Sequence, residues 1–360
     1  MTIDRRAFIK YGAAGAVLAA TAGHAVAQPL KKIRYMLAWV PEGTNLFSFV
    51  AKNKGFWKKR GLDVEIFRGY GSGAAVQALS VGQFDFVQAV TSAMVQQVAK
   101  GLPLVSIAQQ GYKSTMGVCI PADSPIKMPK DLEGKVVGTI PTSGEYPFFP
   151  VFAKKAGVDM DKIKFVQTTP EVRYRLLMTK QFDAMTGFGS SAIPALVSRG
   201  FPIRMMLYAN YGMDLYDLSL VAQRKTVEEH PDVCQAFVDG ALEAMKFTYL
   251  NPEESVEIFQ QEIKEANLTS SGPENARIGL GIQAYCGVAD EIRDHGMGWV
   301  DRAKIVELSN LVMTYLVSKD TAPPDADKMF TNRFSGKIKL TPDEWKAAAK
   351  QRDQHAKYFS

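Results

Sequence analysis

Two consecutive series of β-α units limit most strongly how this chain can fold. From residue 32 to about 210, short apolar runs alternate with segments whose apolar residues recur at helical spacing. "LSVGQFDFVQAVTSA" (79–93) aligns with "LMTKQFDAMTGFGSSA" (177–192), so that Gln-Phe-Asp at 83–85 falls on the same triplet at 181–183. Repeated β-α-β units favour a mostly parallel sheet with helices on both faces. The repeat therefore predicts an α/β protein with two lobes of similar topology.

Two further apolar runs stand where the chain would pass between the lobes. They are "TMGVCIP" (115–121) and "LSLVAQ" (218–223), and two such crossings would form a hinge. The first lobe is then discontinuous. We expect its first part at 28–117, lobe 2 at 118–221, a helical completion of lobe 1 at 222–330 and a helical tail at 331–360.

Three capping patterns mark expected helix starts after residue 224. Thr226 with Glu229 and Thr341 with Glu344 have the spacing of a capping box, in which each residue bonds the other's backbone N–H. Asn251 precedes Pro252, and proline is favoured in the first turn of a helix. These patterns predict where helices begin and carry no information about function.

Residues 1–27 resemble a twin-arginine bacterial export signal. Arg5 and Arg6 precede "AFIK", an Ala/Gly-rich apolar run follows, and Ala25-Val26-Ala27 is a small-x-small cleavage pattern. The run is too short and too glycine-rich for a stable membrane span. The alternative is a frayed amphipathic N-terminus. The signal predicts a soluble exported protein, periplasmic in location, that begins near Gln28.

Charge, cysteine and histidine content exclude several function classes. The net charge is +6, and it falls to +4 without the first 27 residues, which hold three Lys/Arg and one Asp. No dense Lys/Arg block is present, so we expect no nucleic-acid partner. Cys119, Cys234 and Cys286 lie far apart, which predicts buried free thiols or one disulfide. Four histidines, one of them inside the signal, suggest no metal site.

The stretch "GYGSGA" (69–74) matches the glycine pattern G-x-G-x-x-A of a dinucleotide-binding loop. Such a loop follows the first strand of its unit, and an acidic residue ends the next strand. Here the loop follows the second strand, and Asp85 stands at the start of the next one. We therefore expect no nicotinamide or flavin cofactor. The alternatives are a plain turn, or a helix start whose free N–H groups bind a ligand.

The turns that follow the strands should share one edge of each sheet and line a cleft between the lobes. They are rich in Gly, Ser and Thr, four aromatic residues could add flat faces, and three acids are expected near the rim. Acids could equally be solvated loop residues, and Phe188 could belong to the core. Arg68 and Arg173 could pair with a ligand carboxylate, but a surface role is the first expectation for both. The expected ligand-binding residues are Trp39, Glu42, Asn45, Gly71, Ser72, Thr91, Ser92, Thr142, Ser143, Gly144, Glu145, Tyr146, Phe188, Gly189, Tyr211 and Asp214.

Several segments, in this order, resemble the NMT1/THI5-like (SsuA/THI5-like) solute-binding proteins. They are "YMLAWVPEGTNLFSFVAKNKGFWKKRGLDVEI", "GQFDF", "DLEGKVVG", "AKKAGVDMDKIKFV" and "NPEESVEIF", and the resemblance covers most of residues 32–260. It implies a periplasmic receptor with a type II two-lobed fold that serves an ABC permease. Members bind thiamine-precursor pyrimidines, riboflavin-like heterocycles, alkanesulfonates, taurine, nitrate or bicarbonate.

The segment "LAWVPEGTN" is similar to the pattern L-x-W-x-P-N-x-N-H of the pyrimidine binders, which implies that Trp39 stacks on the ligand ring. Glu42 replaces the first Asn of that pattern and Leu46 replaces its His. A carboxylate accepts hydrogen bonds from an amino-heterocycle and repels a sulfonate. The expected ligand is therefore a small planar heteroaromatic solute, with a sulfonate, taurine or an aromatic carboxylate as the alternative.

The rival function is a pyrimidine-processing enzyme on the same fold. Enzymes of that kind among the relatives use a cleft histidine and a cluster of cysteines. Here His230, His295 and His355 lie in the helical C-terminal part, and no Ser-His or Cys-His pair is evident. We expect a monomeric binding protein without cofactor or catalytic residues.

Overall fold

Strands and helices alternate over the first two thirds of the chain, as the sequence pattern predicts. The computed structural model describes residues 29–267 and 269–359. Its strands are β1 (Lys31–Met36), β2 (Leu62–Phe67), β3 (Phe86–Val90), β4 (Leu104–Gln109), β5 (Met116–Pro121), β6 (Val136–Thr139), β7 (Lys164–Gln167), β8 (Ala184–Phe188), β9 (Ile203–Leu207) and β10 (Leu218–Gln223). Its α-helices are α1 (Phe47–Asn53), α2 (Ser72–Ser80), α3 (Thr91–Ala99), α4 (Phe149–Ala156), α5 (Arg173–Met178), α6 (Gly189–Val197), α7 (Arg224–Glu229), α8 (Pro231–Leu250), α9 (Pro252–Glu262), α10 (Gly272–Gly287), α11 (Asp290–His295), α12 (Arg302–Tyr315) and α13 (Pro342–His355).

The strands form two five-stranded sheets of the same design. The strand orders are β2-β1-β3-β10-β4 and β7-β6-β8-β5-β9. In each sheet four strands point one way, and the strand that comes from the other sheet, β10 or β5, runs antiparallel between two of them. The two-lobed α/β fold is therefore confirmed, but the sheets are mixed, because each inserted strand turns two neighbouring pairs antiparallel.

The internal repeat of the sequence is also a repeat of hydrogen bonds. Asp85 Oδ2 accepts a bond from the Arg34 backbone N–H at 2.7 Å. At the equivalent place in the second sheet, Asp183 Oδ2 accepts one from the Val136 N–H at 2.8 Å. Each aspartate thus ties the start of β3 or β8 to the neighbouring parallel strand, which explains why the triplet recurs.

The chain passes between the sheets at 110–115 and at 208–217, and these two crossing segments bond to each other. The Asp217 N–H donates to the Gly111 carbonyl at 2.9 Å, and the Ser114 N–H donates to the Leu215 carbonyl at 3.0 Å. From Lys31 onwards the chain forms one compact unit. The lobe boundaries after residues 117, 221 and 330 stay predictions.

Aromatic stacking joins the C-terminal helices to the first sheet. Phe237 of α8 stacks on Phe86 with ring centroids 4.1 Å apart and on Trp57 at 5.4 Å. Trp57 Nε1 donates to the Phe237 carbonyl at 2.9 Å, so the buried indole N–H has a partner. Helix α8 therefore packs against the first sheet, and the completion of lobe 1 by residues 222–330 stays a prediction.

The three predicted helix starts have different outcomes. At α13, Thr341 and Glu344 form the predicted capping box, and α9 begins at Pro252 as predicted, although the Asn251 side chain makes no cap bond. The prediction at Thr226 is wrong, because this residue lies inside α7. Helix α7 ends at Glu229, and a new helix, α8, starts at Pro231. Proline ends the first helix because it lacks the N–H that a continuing helix needs.

Two sequence predictions concern the cysteines and the N-terminus. Cys119, Cys234 and Cys286 are buried free thiols. The expected export signal at 1–27 lies outside the described residues. Across the part of the chain that the structure describes, no helix combines the length and apolar character needed to cross a lipid bilayer.

Candidate functional site

A cavity lies between the two sheets at the edge where the strands of both lobes end. Its empty space, including open solvent at the mouth, is about 440 Å³. Loops after β1, β2, β6 and β8, the start of α5 and the second crossing segment all contribute to its wall. The lining residues are Ala38, Trp39, Glu42, Thr44, Asn45, Gly71, Ser72, Gln88, Val90, Ser143, Gly144, Arg173, Phe188, Ser190, Ser191, Asp217 and Leu218.

The glycine-rich turn before α2 brings the two lobes close together. Gly71 has φ +119° and donates its N–H to the Ala38 carbonyl at 2.9 Å. A Cβ atom there would lie 2.2 Å from the Thr142 carbonyl oxygen of the other lobe. The Gly73 N–H donates to that same oxygen at 3.1 Å. The glycine pattern thus serves the contact between backbones, and one N–H at the start of α2 is already paired with protein.

Three further contacts cross from lobe to lobe around the cavity. Thr142 Oγ1 donates to the Tyr70 carbonyl at 2.7 Å. Arg68 pairs with Glu171 at 2.9 Å between partly exposed side chains. Ser191 Oγ donates to Glu42 Oε1 at 2.6 Å at the cavity wall. The molecule is therefore in a closed form.

Glu42 is a carboxylate of the cavity wall that accepts hydrogen bonds from two hydroxyl groups. Its Oε1 accepts from Thr44 Oγ1 at 2.9 Å and from Ser191. Asn45 fixes the loop, because its Oδ1 accepts from the Glu42 N–H at 3.0 Å and its Nδ2 donates to the Val40 carbonyl at 2.9 Å. Burial raises the pKa of Glu42, and the Ser191 bond and the Arg173 charge lower it in part.

Arg173 is the cation of the cavity wall, and the expectation of a surface position is wrong. Only 3% of the residue is exposed. Its guanidinium lies over the Trp39 ring at 4.6 Å and over the Tyr174 ring at 4.2 Å, and it donates to the Tyr174 hydroxyl. Arg173 therefore covers one face of Trp39, a residue that also lines the cavity.

Asp217 is a second carboxyl group of the wall, from the crossing segment before β10. It is 3% exposed. Burial raises its pKa to about 7, against the lowering effects of the Cys286 thiol and the Leu218 N–H, and the Glu42 charge raises it further. Asp217 and Cys286 also line a small adjoining recess with the buried Gln110 and Gln283. Gln110 Nε2 and Gln283 Oε1 have no partner among the described residues.

Half of the expected ligand-binding residues line the cavity. They are Trp39, Glu42, Asn45, Gly71, Ser72, Ser143, Gly144 and Phe188. The cavity is lined by Gly71 and Ser72 from the first lobe and by Phe188, Ser190 and Ser191 from the second. Their role in binding stays a prediction.

Four of the other expected residues are close in sequence to lining residues but do not line the cavity themselves. Glu145 is fully buried, accepts from Ser143 and Thr186, and has a pKa that burial raises. Thr142 makes the lobe contact described above. Thr91 is buried, and its hydroxyl donates to Gln109 Oε1 at 3.0 Å and to the Asp217 carbonyl at 3.1 Å. The Ser92 hydroxyl is buried beside it without a partner among the described residues.

The remaining four do not line the cavity. Gly189 donates its N–H to the Thr115 carbonyl at 2.9 Å and lies against Phe359. Tyr146 is half-buried outside the wall. Tyr211 packs edge-on against Phe152 at 5.2 Å, and Asp214 is exposed. The last two follow the edge strand β9, so they lie away from the centre of the cleft.

Several lining residues were missed by the sequence reasoning. Ser190 and Ser191 continue the turn that was expected to bind, so extending it by one residue or two would have included them. Arg173 starts the helix after β7 and thus obeys the rule that strand-to-helix turns share one edge. Asp217 directly precedes a crossing strand. Thr44, Gln88, Ala38, Val90 and Leu218 give no sequence signal that we recognise.

Metal binding finds no support in the described residues. They contain no group of three or more His, Cys, Asp or Glu side chains placed to hold a metal ion. The cavity can therefore offer a guest one guanidinium, two carboxyl groups, several hydroxyls and aromatic faces.

Comparison with known proteins places the chain in a family. A family model described as NMT1/THI5 like matches residues 44–255. The chain is 26% identical over 242 residues to the formylaminopyrimidine-binding protein of Halalkalibacterium halodurans, covering 67% of this chain and 73% of that protein. It is 21% identical over 322 residues to the riboflavin-binding protein RibY of Chloroflexus aurantiacus, covering 86% and 87%.

Solved structures agree with the fold. The alkanesulfonate-binding protein SsuA from Xanthomonas axonopodis pv. citri, bound to MOPS, superposes with a TM-score of 0.66 at 14% identity, covering 85% of this chain and 100% of that one. At this identity the likeness supports the two-lobed architecture and nothing finer. The family model spans more than half of the chain, and the chain belongs to the NMT1/THI5-like family.

Proposed function

We propose that this protein is a solute-binding protein that captures a small planar heteroaromatic solute between its lobes. The observation that carries the proposal is the composition of the cavity wall. One face of Trp39 and the Phe188 ring offer flat apolar surface, and Glu42 and Asp217 offer hydrogen-bond acceptors. A flat ring with N–H groups at its edge matches both features.

The two relatives with binding functions in their names support this ligand class. Formylaminopyrimidine and riboflavin are both planar nitrogen heterocycles. The two wall carboxyl groups disfavour a plain alkanesulfonate, because it has no N–H group to donate to them.

The mechanism we propose is binding by lobe closure. The solute enters the open cleft and meets one lobe, and closure adds contacts from the other lobe. Glu42 belongs to the first lobe and accepts its bond from Ser191 of the second, so closure also orients this carboxylate. We propose that the closed protein, exported across the inner membrane, then delivers the solute to an ABC permease.

No chemical step is needed for this function. The lining residues include no Ser-His or Cys-His pair of the kind that activates a nucleophile. An enzyme on this fold would convert the solute, which a binding protein leaves unchanged.

The test combines mass spectrometry with thermal unfolding. Native mass spectra of freshly purified protein will show any small molecule that co-purifies. Riboflavin, an aminopyrimidine and taurine are then compared as probes. A ligand at a hundred times its dissociation constant should add about 2.7 kcal/mol to the free energy of unfolding.

A matched pair of variants locates the binding. Trp39→Ala should abolish the stabilisation by the heterocycle, whereas Trp345→Ala, on α13 and outside the cavity, should retain it. Stabilisation by taurine alone would overturn the ligand class. Conversion of a probe to a product would overturn the function itself.

A further inference from the structure

Among the residues that the structure describes, none provides a carboxylate partner for the guanidinium of Arg173. Among the described residues no Asp or Glu oxygen lies within 4.0 Å of it, although eighteen other ion pairs meet that limit. Its Nε is buried and has no hydrogen-bond acceptor. A buried charge without a partner is costly. Arg173 can therefore still donate hydrogen bonds to a negatively charged group at the cavity wall.

Its neighbours hold the cation in place without neutralising it. The rings of Trp39 and Tyr174 lie at 4.6 and 4.2 Å from the guanidinium carbon, and both contacts are of the cation-π type. The Tyr174 hydroxyl accepts a bond from one Nη. Two rings and one hydroxyl fix the plane of the side chain, which prepares it for a planar partner.

The acids near Arg173 are engaged with hydroxyl groups. Glu42 accepts from Thr44 and Ser191, and Glu145 accepts from Ser143 and Thr186. The Arg173 charge lowers the pKa of both acids, but burial raises each pKa more strongly. The charge of Arg173 therefore acts on these carboxyl groups from a distance, and neither of them accepts a hydrogen bond from its N–H groups.

We infer that the captured solute carries an oxyanion, such as a carboxylate or a sulfonate, that pairs with Arg173 while its ring edge faces Glu42 and Asp217. The inference rests on the proposed function and narrows it from planar heterocycles to acidic ones. Guanidinium is the group best suited to bind an oxyanion through two parallel hydrogen bonds to two of its oxygens. The solute then supplies the charge that the protein lacks at this point.

The test compares ligands that share a ring and differ in charge. Aminonicotinate, aminopyridine sulfonate and aminonicotinamide are titrated at pH 7 by calorimetry against the native chain. We expect the carboxylate or the sulfonate to bind at least about tenfold more tightly than the neutral amide, as for other desolvated charge pairs. The stronger of the two acids identifies the type of oxyanion.

Variants of Arg173 then assign the preference to this side chain. Arg173→Gln should remove the preference for the acid over the amide, because the guanidinium charge that pairs with the acid is lost. Arg175→Gln, on the same short helix but exposed and outside the cavity wall, should keep the preference. Should Arg173→Gln fail to fold, Arg173→Lys keeps the charge without the planar fork and should weaken the preference.

The outcomes separate this inference from the proposed function. If the amide binds as tightly as the acids, or if Arg173→Gln keeps the preference, the inference is wrong and the proposed function stands. The same holds if only a neutral aminopyrimidine binds. If no planar heterocycle binds, both are wrong.

Discussion

At the scale of single residues, Gly71 shows how a common sequence pattern can serve an uncommon purpose. Its positive φ and its position 2.2 Å from the Thr142 oxygen, measured from a notional Cβ, leave no room for a side chain in the closed form. The pattern resembles a nucleotide loop because both need bare backbone at a strand-to-helix turn. In this protein the atom that approaches the backbone belongs to the other lobe.

Gly71→Ala should therefore weaken solute binding by about tenfold or more, equivalent to about 1.4 kcal/mol. The added methyl group opposes closure, and the backbone is strained as well. Gly82→Ala is the matched control, because Gly82 also has a positive φ but has open space around it. It should cost about 1 kcal/mol of stability without a change in affinity. Calorimetric titration and urea unfolding measure the two quantities, and equal affinities for both variants would contradict the explanation.

Asp217 should make the stability of the unliganded protein depend on pH. Burial raises its pKa from the ordinary 3.8 to about 7, so the folded state holds this proton more tightly than the unfolded state. The free energy of unfolding should then fall as pH rises from 3.8 to about 7 and change little from this group above that. Glu42 and Glu145, whose pKa values burial also raises, act in the same direction.

Asp217→Asn should flatten this decline, because an amide does not titrate. The melting temperature measured in steps of pH is the test. Asp214→Asn, at an exposed position three residues earlier, should leave the profile unchanged. A profile that is the same for the native chain and Asp217→Asn would mean that Asp217 stays ionised in the fold.

Half of the residues that the sequence predicts to bind ligand do line the cavity, and the reason is local. Gly71, Ser72, Ser143 and Gly144 stand in short Gly/Ser turns directly after apolar strands, so a pattern of neighbouring residues identifies them. Arg173 follows a turn without glycine, and an arginine on a short helix suggests a solvated position. Its burial depends on Trp39, which is far away in sequence.

At the scale of elements, the alternation of strands and helices was predictable, but the pairing of the two inserted strands was not. Each β-α unit has its own periodicity, whereas the pairing of β10 with β3 and β4 joins distant parts of the chain. The insertion places the crossing segments over two turns that were expected to bind ligand. Thr91 donates its N–H to the Asp217 carbonyl at 3.0 Å, and Gly189 donates to Thr115 at 2.9 Å. Those backbone donors are consequently not free for a solute.

The two predicted capping boxes, at Thr226 and at Thr341, allow a comparison within the same chain, because only the one at Thr341 forms. Thr341→Ala should lower the free energy of unfolding by about 1 kcal/mol, because the N–H of Glu344 loses its acceptor. Thr226→Ala should change it by less than about 0.5 kcal/mol, because Thr226 lies inside α7 and caps nothing. Urea unfolding measures both. A larger loss at Thr226 would show that this residue caps a helix in solution.

At the scale of the whole molecule, few polar contacts hold the lobes together. The exposed Arg68–Glu171 pair should contribute little, as solvated ion pairs do. The bond from Ser191 to Glu42 is shorter and lies at the cavity wall, so it combines closure with the orientation of a ligand-facing acid. No periodicity or local pattern could reveal this coupling, because its two residues come from different repeats and meet only when the lobes close.

Ser191→Ala should therefore shift the molecule towards the open form. A hydrogen bond to a charged group contributes about 1.5–3 kcal/mol, so we expect solute affinity to fall by about tenfold or more. Small-angle scattering of the unliganded variant should give a larger radius of gyration than that of the native chain. Ser198→Ala is the matched control, because Ser198 follows the far end of the same helix and its buried hydroxyl has no partner among the described residues. Native scattering for Ser191→Ala, combined with reduced affinity, would mean that Ser191 contacts the solute directly and does not govern closure.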